Sequence, residues 1–233
     1  MQSEKIMELR KHIGDKLKHH RVLEGACYDK GVYTLIFGNM RKKTSVLVRL
    51  NKQMKVLGIS EPMKVGHGND CCQRGNTIYI VASGTTNKIY RVNATTLKKI
   101  SSVTVKGCKG GFNGIACFGV GFIVRKMHTR KFYILDAHMK KVRTMTIPKR
   151  LTHEQGIDYH DGKLYCAASR WQSTKNRIGV YDDKGRPIKR YHYKKKCELE
   201  NVMIVDGKIQ FGIYKKYRKK GRKHFEAYIK EIK

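Results

Sequence analysis

Apolar residues come in short runs, such as TLIFG at 34–38, TIYIVAS at 77–83 and KLYCAAS at 163–169, separated by polar clusters rich in Gly, Asn and Asp. That rhythm predicts β-strands joined by tight turns, because an amphipathic helix needs an apolar stripe sustained over ten or more residues. No run approaches the ~18–20 apolar residues of a membrane span, so no span is expected.

The runs repeat. LEGACYDKGVYTLIFGN from 23, GNDCCQRGNTIYIVASG from 68, FNGIACFGVGFIVRKM from 112, EQGIDYHDGKLYCAAS from 154 and LENVMIVDGKIQFGIY from 199 share a polar entry, an apolar strand, a turn and a second strand. Glu24, Asn69, Asn113, Gln155 and Glu200 mark the entries, at intervals of 45, 44, 42 and 45 residues. The first four repeats continue into a third and fourth strand, as in RIGVYDDKG and PIKRYHY. Four short strands per ~40–45 residues is the signature of a propeller blade. The expected fold is all-β, a single five-bladed β-propeller of four-stranded antiparallel blades over 1–233.

The last repeat holds only three strands, so an N-terminal strand must close the ring. DKLKHHRVL at 15–23 is the candidate, leaving residues 1–14 as an outer lead-in.

In a propeller the first strand of each blade lines the channel, so entries distant in sequence meet at one mouth. The expected mouth set is Glu24, His67, Asn69, Asp70, Asn113, His153, Gln155, Asp158, Glu200 and Asn201, flanked by Glu154 and Glu198. Asx-turns explain Asn and Asp at any one strand start. A purely structural repeat would reuse one residue, however, and these entries differ. The oxygen-rich subset Glu24, Asp70, Asn113 and Glu200 suits Ca²⁺ or Mg²⁺ rather than zinc. His67 and His153, each two residues before a marker, are candidate bases.

Charge is the strongest compositional signal. The chain has 51 Lys+Arg against 18 Asp+Glu, a formal net charge of +33. A charge run is usually a solvated face, but solvation does not demand one sign, and the surplus implies an anionic partner. Cations interleave with aromatics in RWQSTKNR at 170–177, KRYHYKKK at 189–196 and YKKYRKK at 214–220. Arg170, Trp171, Lys194, Lys195, Lys215, Lys216, Arg218 and Lys219 therefore form the candidate anion-binding surface. Alternatively, Tyr191, Tyr193, Tyr214 and Tyr217 are strand residues facing neighbouring blades. The seven cysteines show no CxxC spacing and lie largely in strand-like runs, as expected for reduced core thiols. The N-terminal stretch lacks the apolar region and cleavage site of a secretory signal, so the chain as given reads as cytoplasmic. Neither GxSxG nor a phosphate-cradling GxxxxGK[ST] occurs.

GHGND, EQGID and ELEN resemble the GHxND, QGxD and EPEN signatures of a family of small five-bladed propellers of low-GC Gram-positive bacteria and their phages. Leu199 stands where that family usually has Pro. LEGACYD and FNGIACF are also similar to the calcium-binding entry motifs of sugar-lactonase propellers. The resemblances imply the fold and a channel-mouth site, and name no reaction. The function expected from the sequence is a non-enzymatic binding module. It would capture nucleic acid, a teichoic-acid-like phosphate polymer or an acidic protein. The alternative is a divalent-metal-dependent hydrolase or lyase with its metal at the mouth.

Overall fold

The computed structural model of the chain describes residues 2–9, 13, 17, 19–84, 86–149, 153–219 and 222–233. After β1 (Ser3–Glu8), the first blade holds β2 (Val22–Asp29), β3 (Val32–Asn39), β4 (Thr44–Asn51) and β5 (Val56–Ile59). The second holds β6 (His67–Arg74), β7 (Thr77–Ser83), β8 (Lys88–Asn93) and β9 (Lys99–Thr104). The third runs through β10 (Phe112–Phe118), β11 (Gly121–Lys126), β12 (Lys131–Leu135) and β13 (Lys141–Thr146). In the fourth are β14 (Glu154–His160), β15 (Lys163–Ala168), β16 (Asn176–Asp182) and β17 (Pro187–Tyr193). The fifth comprises β18 (Glu198–Val205), β19 (Lys208–Lys219) and β20 (Arg222–Ile232), with β1 as its outer strand. The five antiparallel sheets form a ring, a five-bladed β-propeller, and β2, β6, β10, β14 and β18 meet around the channel.

Turn chemistry fixes the first hairpins. Lys30-Gly31, Asp161-Gly162 and Asp206-Gly207 are two-residue turns with positive φ at both positions. That geometry matches the strand twist and needs Gly at the second place.

Each core cluster lies between two blades. Ile115 packs back towards blade two beside Cys72 and Val81, whereas its neighbour Ala116 packs forward beside Ile157 and Cys166. Period-two alternation thus gives every inner strand two apolar faces, which is why the runs read as nearly continuous. All seven cysteines are free thiols, with Cys27 and Cys117 half-buried and the others buried. Among the described residues no helix is long and apolar enough to cross a membrane.

Ring closure uses a different N-terminal segment from the one expected. β1 pairs with β20 from Ser3↔Ile232 to Glu8↔Tyr228, while Val22 and Leu23 of the expected 15–23 strand begin β2. Residues 15, 16 and 18 lie outside the described residues. SEKIME reads poorly as a strand because an outer edge strand faces water and tolerates charge. Its Lys5 and Glu8 pair at 3.0 Å, and Glu4 pairs with Lys233 at 2.8 Å. Met7, Leu9 and Ile13 then enter the cluster that joins blades five and one.

Candidate functional site at the channel mouth

Each innermost strand breaks its register at the marker residue. Leu23 pairs with Phe37 and Gly25 with Ile36, so Glu24 is the extra residue of a β-bulge. The same holds for Asn69, Asn113 and Glu200, and the Gln155-Gly156 step carries the extra residue of β14. The period in the sequence is therefore a period of bulges, which bend a strand and re-aim its side chain.

The residue after each marker is Gly25, Asp70, Gly114, Gly156 or Asn201. Two of these glycines, Gly25 and Gly156, make room for Asp70 on a narrow axis, and Gly156 also for Asn201. A Cβ at Gly25 would come within 2.8 Å of Asp70 Cα, and one at Gly156 within 2.8 Å of Asp70 Oδ1 and 3.1 Å of the Asn201 Cβ. Asp70 Oδ2 accepts the N–H groups of Ile115 and Ile157, each at 2.9 Å, tying blade two to blades three and four. Asp158 accepts the Ile204 N–H at 2.7 Å, and Asn201 Oδ1 accepts the Gly212 N–H at 3.0 Å. Asp70 and Asp158 thus fasten neighbouring blades, whereas Asn201 holds the bulge within its own blade. Burial pushes the Asp158 carboxyl up to about 6, against its two backbone N–H bonds. Asp70 is also pushed up by burial, opposed by the N–H groups of Ile157, Ile115 and Cys71.

The other mouth residues form a buried polar cluster. His67 Nε2 lies 2.8 Å from Glu24 Oε2, and Gln155 Nε2 donates to Glu198 Oε1 at 3.1 Å. Burial, then the neighbouring Glu24 carboxylate, push Glu198 up to about 7; His67 and Gln155 oppose this. Glu200, wholly buried beside Glu24 and Glu198, is raised by burial first and those charges second. Glu24 is raised by burial against its bond to His67. Burial pulls His67 down, but the bond to Glu24 and the charges of Glu24 and Glu198 outweigh it and leave it raised. Glu24 Oε1, Glu198 Oε2, His67 Nδ1 and Asn113 Oδ1 have no hydrogen-bond partner among the described residues.

Two expectations change here, and one residue is added. Asn69 is buried, but His153 is exposed at the rim, where its backbone carbonyl accepts the Ser169 N–H at 2.8 Å. The proposed cation shell of Glu24, Asp70, Asn113 and Glu200 is not assembled. Asp70 is occupied by backbone N–H groups and the Asn113 amide donates to the Glu154 carbonyl at 3.1 Å. Among the described residues no three His, Cys, Asp or Glu side chains converge as metal ligands. Arg125 was missed. Its guanidinium, 1% exposed, donates to the carbonyls of Gln155 and Ala167 at 3.2 and 3.3 Å and lies 3.9 Å from Glu154 Oε1. A cation directly following the apolar run GFIV was its sequence signal.

The basic surface sits over this same mouth. Glu198, at the entry of β18, pairs with Tyr214, so β19 beyond Tyr214 and β20 before Ala227 project past the mouth as an arm. Ala168 pairs with Glu154, which puts Arg170 and Trp171 at that end, and Tyr193 pairs with Asn176, which puts Lys194 and Lys195 there. Lys194, Lys195, Arg170, Trp171, Lys216 and Arg218 are exposed and Lys215 is half-buried; the Lys219 side chain lies outside the described residues. Of the tyrosines, Tyr193 and Tyr214 are buried, Tyr191 packs against the core, and Tyr217 donates to Glu226 at 2.6 Å.

The loops of this end also expose Arg41, Lys42, Lys43, Lys64, Lys106, Lys109 and Lys149. Outside the channel, the described acids of this end are Glu61 and, at the root of the arm, Glu226 and Glu8, the last opposite Tyr228 and paired with Lys5. The opposite end carries Asp29, Asp136, Asp161, Asp182, Asp183 and Asp206 at its turns, where Lys52 pairs with Asp206 at 2.7 Å. The exposed acids are therefore gathered mainly at the far end, where exposed lysines such as Lys55, Lys98 and Lys140 accompany them, while the mouth end is almost wholly cationic outside the channel.

No family model and no curated protein matches the chain. Solved structures do. Myxococcus xanthus glutaminyl cyclase superposes with a TM-score of 0.68 at 10% identity, covering 99% of this chain and 97% of that one. The RRP9 WD40 repeats match with a TM-score of 0.53 at 10% identity over 96% and 84% of the two chains. A chain of a nidogen–laminin complex matches at 0.53 and 12% over 84% and 75%. At such identities the likeness is one of fold.

Proposed function

We propose that the protein captures an anionic polymer on the cationic rim and arm at the mouth end of the propeller. The observation that carries this reading is the scarcity of acids, among the described residues outside the channel, at the cationic mouth end. A surface built only for solubility would scatter its few acids, whereas here they gather on the turns furthest from the arm. Phosphate neutralisation releases counterions, so binding of inorganic polyphosphate or an oligonucleotide should weaken linearly in log–log form with salt. A slope near zero would refute the reading.

The buried cluster favours a second reading, acid/base chemistry on an amine-bearing substrate. Glu198, pushed up to about 7, would exchange a proton at neutral pH, with the His67–Glu24 pair beside it. The glutaminyl cyclase sharing the fold makes an N-terminal glutamine peptide a sensible probe. There the α-amine nitrogen would attack the γ-carboxamide carbon, the C–NH₂ bond would break, and one proton would pass from the amine to the departing ammonia. Ammonia release by the parent and its loss in Glu198→Gln would support this reading; no release would count against it.

A further inference from the structure

Trp171 is the only tryptophan of the chain, and it stands 56% exposed in the loop between β15 and β16. The loop is clamped, not loose. Gln172 Nε2 donates to the Tyr214 carbonyl at 3.3 Å while Gln172 Oε1 accepts the Lys216 N–H at 3.1 Å, so one side chain grips both edges of a β19 step. Trp171 is thereby seated at the root of the arm. Its ring lies 6.2 Å from Tyr214, whose own ring stacks on Phe225 at 6.0 Å with planes 19° apart. Lys216 Nζ is 6.0 Å from the Trp171 ring and 5.9 Å from that of Phe225. Further along, Tyr217 and His224 stack at 5.3 Å and 17°, with Lys215 Nζ 5.2 Å from Tyr217.

A cationic rim alone would hold any polyanion. A rigid, half-exposed indole backed by a buried tyrosine adds a flat face, and its ordering cost is already met by the Gln172 clamp. Flat faces recognise flat partners, and among the polyanions only unpaired nucleobases offer a π-face alternating with phosphates. Duplex hides those faces, and a chain of phosphates has none.

We propose that Trp171 and the β19–β20 arm form a stacking platform for unpaired bases of single-stranded nucleic acid, with Lys194, Lys195, Lys216 and Arg218 tracking the phosphates. This deepens the polymer-capture reading and rests on it.

The sole tryptophan is its own reporter. The probes are an oligo(dA), the matching oligo(A), a duplex of equal length and inorganic polyphosphate, each titrated at fixed salt by Trp171 fluorescence and by competition with a labelled strand. Both single strands should quench Trp171 and bind more tightly than polyphosphate or duplex. Trp171→Ala should weaken single-strand binding about tenfold, a typical loss for one stacked base, and leave polyphosphate binding unchanged. Trp171→Phe should restore most of it. The ratio of the two single strands reports any preference for RNA or DNA. Single strands that bind without quenching, that lose nothing in Trp171→Ala, or that bind less tightly than duplex would overturn the platform while leaving the rim intact. If neither single strands nor polyphosphate bind, both proposals fail together.

Discussion

The Asp70 carboxylate and the backbone N–H of Ile157, 87 residues apart, share a hydrogen bond of 2.9 Å across the channel. The same oxygen holds Ile115 at 2.9 Å, so one side chain fastens three blades. Asp70→Ala leaves these buried N–H groups without a partner, at a cost of about 3 kcal/mol. Denaturant titration measures that loss, and polyanion binding by the folded fraction should be unaltered. Reduced affinity in a fully folded variant would return Asp70 to the ligand site.

The axis has no spare volume beside Asp70. Gly156→Ala and Gly25→Ala drive a methyl against Asp70, and against backbone in the second case, so each should destabilise by about 1–3 kcal/mol. Thermal melting of the two variants checks this; parent-like midpoints would show that the channel is looser than drawn.

Stability should fall as pH rises. Glu198 and Glu200 have folded pKa values above their ordinary ones, so their protonated forms favour the fold. That contribution is complete below about 4.5 and, for Glu198, lost as pH climbs through about 7. His67, also raised, acts in the same direction, stabilising below its ordinary value and fading above the folded one. Glu24, Glu200, His67 and Gln155 are the groups that face Glu198. Glu198→Gln should therefore remove about 2 kcal/mol of the stability difference between pH 5 and pH 8. An unchanged pH profile in the variant would contradict the assignment.

Closure by β1 predicts that removing residues 2–9 exposes the outer edge of β20 and strips Met7 and Leu9 from the cluster between blades five and one. Self-association and a lower melting temperature should follow. A shortened chain that stays monomeric with the parent midpoint would show that β1 is dispensable.

The architecture was readable because the bulge recurs. Glu24, Asn69, Asn113, Gln155 and Glu200 differ in type yet share one backbone role, so spacing revealed what identity concealed. The closing strand was hidden because an edge strand with one face in water needs little alternation; SEKIME carries Met7 inward and charges elsewhere. Asp70 passed for a ligand residue because only the three-dimensional ring shows Gly25 and Gly156 making room for it. The placement of the acids was legible in principle. Asp29, Asp161 and Asp206 all sit beside the first turn of a repeat, and that turn lies opposite the mouth.

Capture by the mouth-end rim, as opposed to attraction by total charge, is tested most directly by a matched pair of charge reversals. One variant carries Lys194→Glu, Lys195→Glu and Lys216→Glu; the other carries Lys55→Glu, Lys98→Glu and Lys140→Glu, exposed lysines of the far end. Both lose the same net charge. Affinity for a labelled single-stranded oligonucleotide should fall steeply, with a shallower salt slope, in the first variant only. Equal losses in the two would contradict the rim and leave only the field of a basic protein.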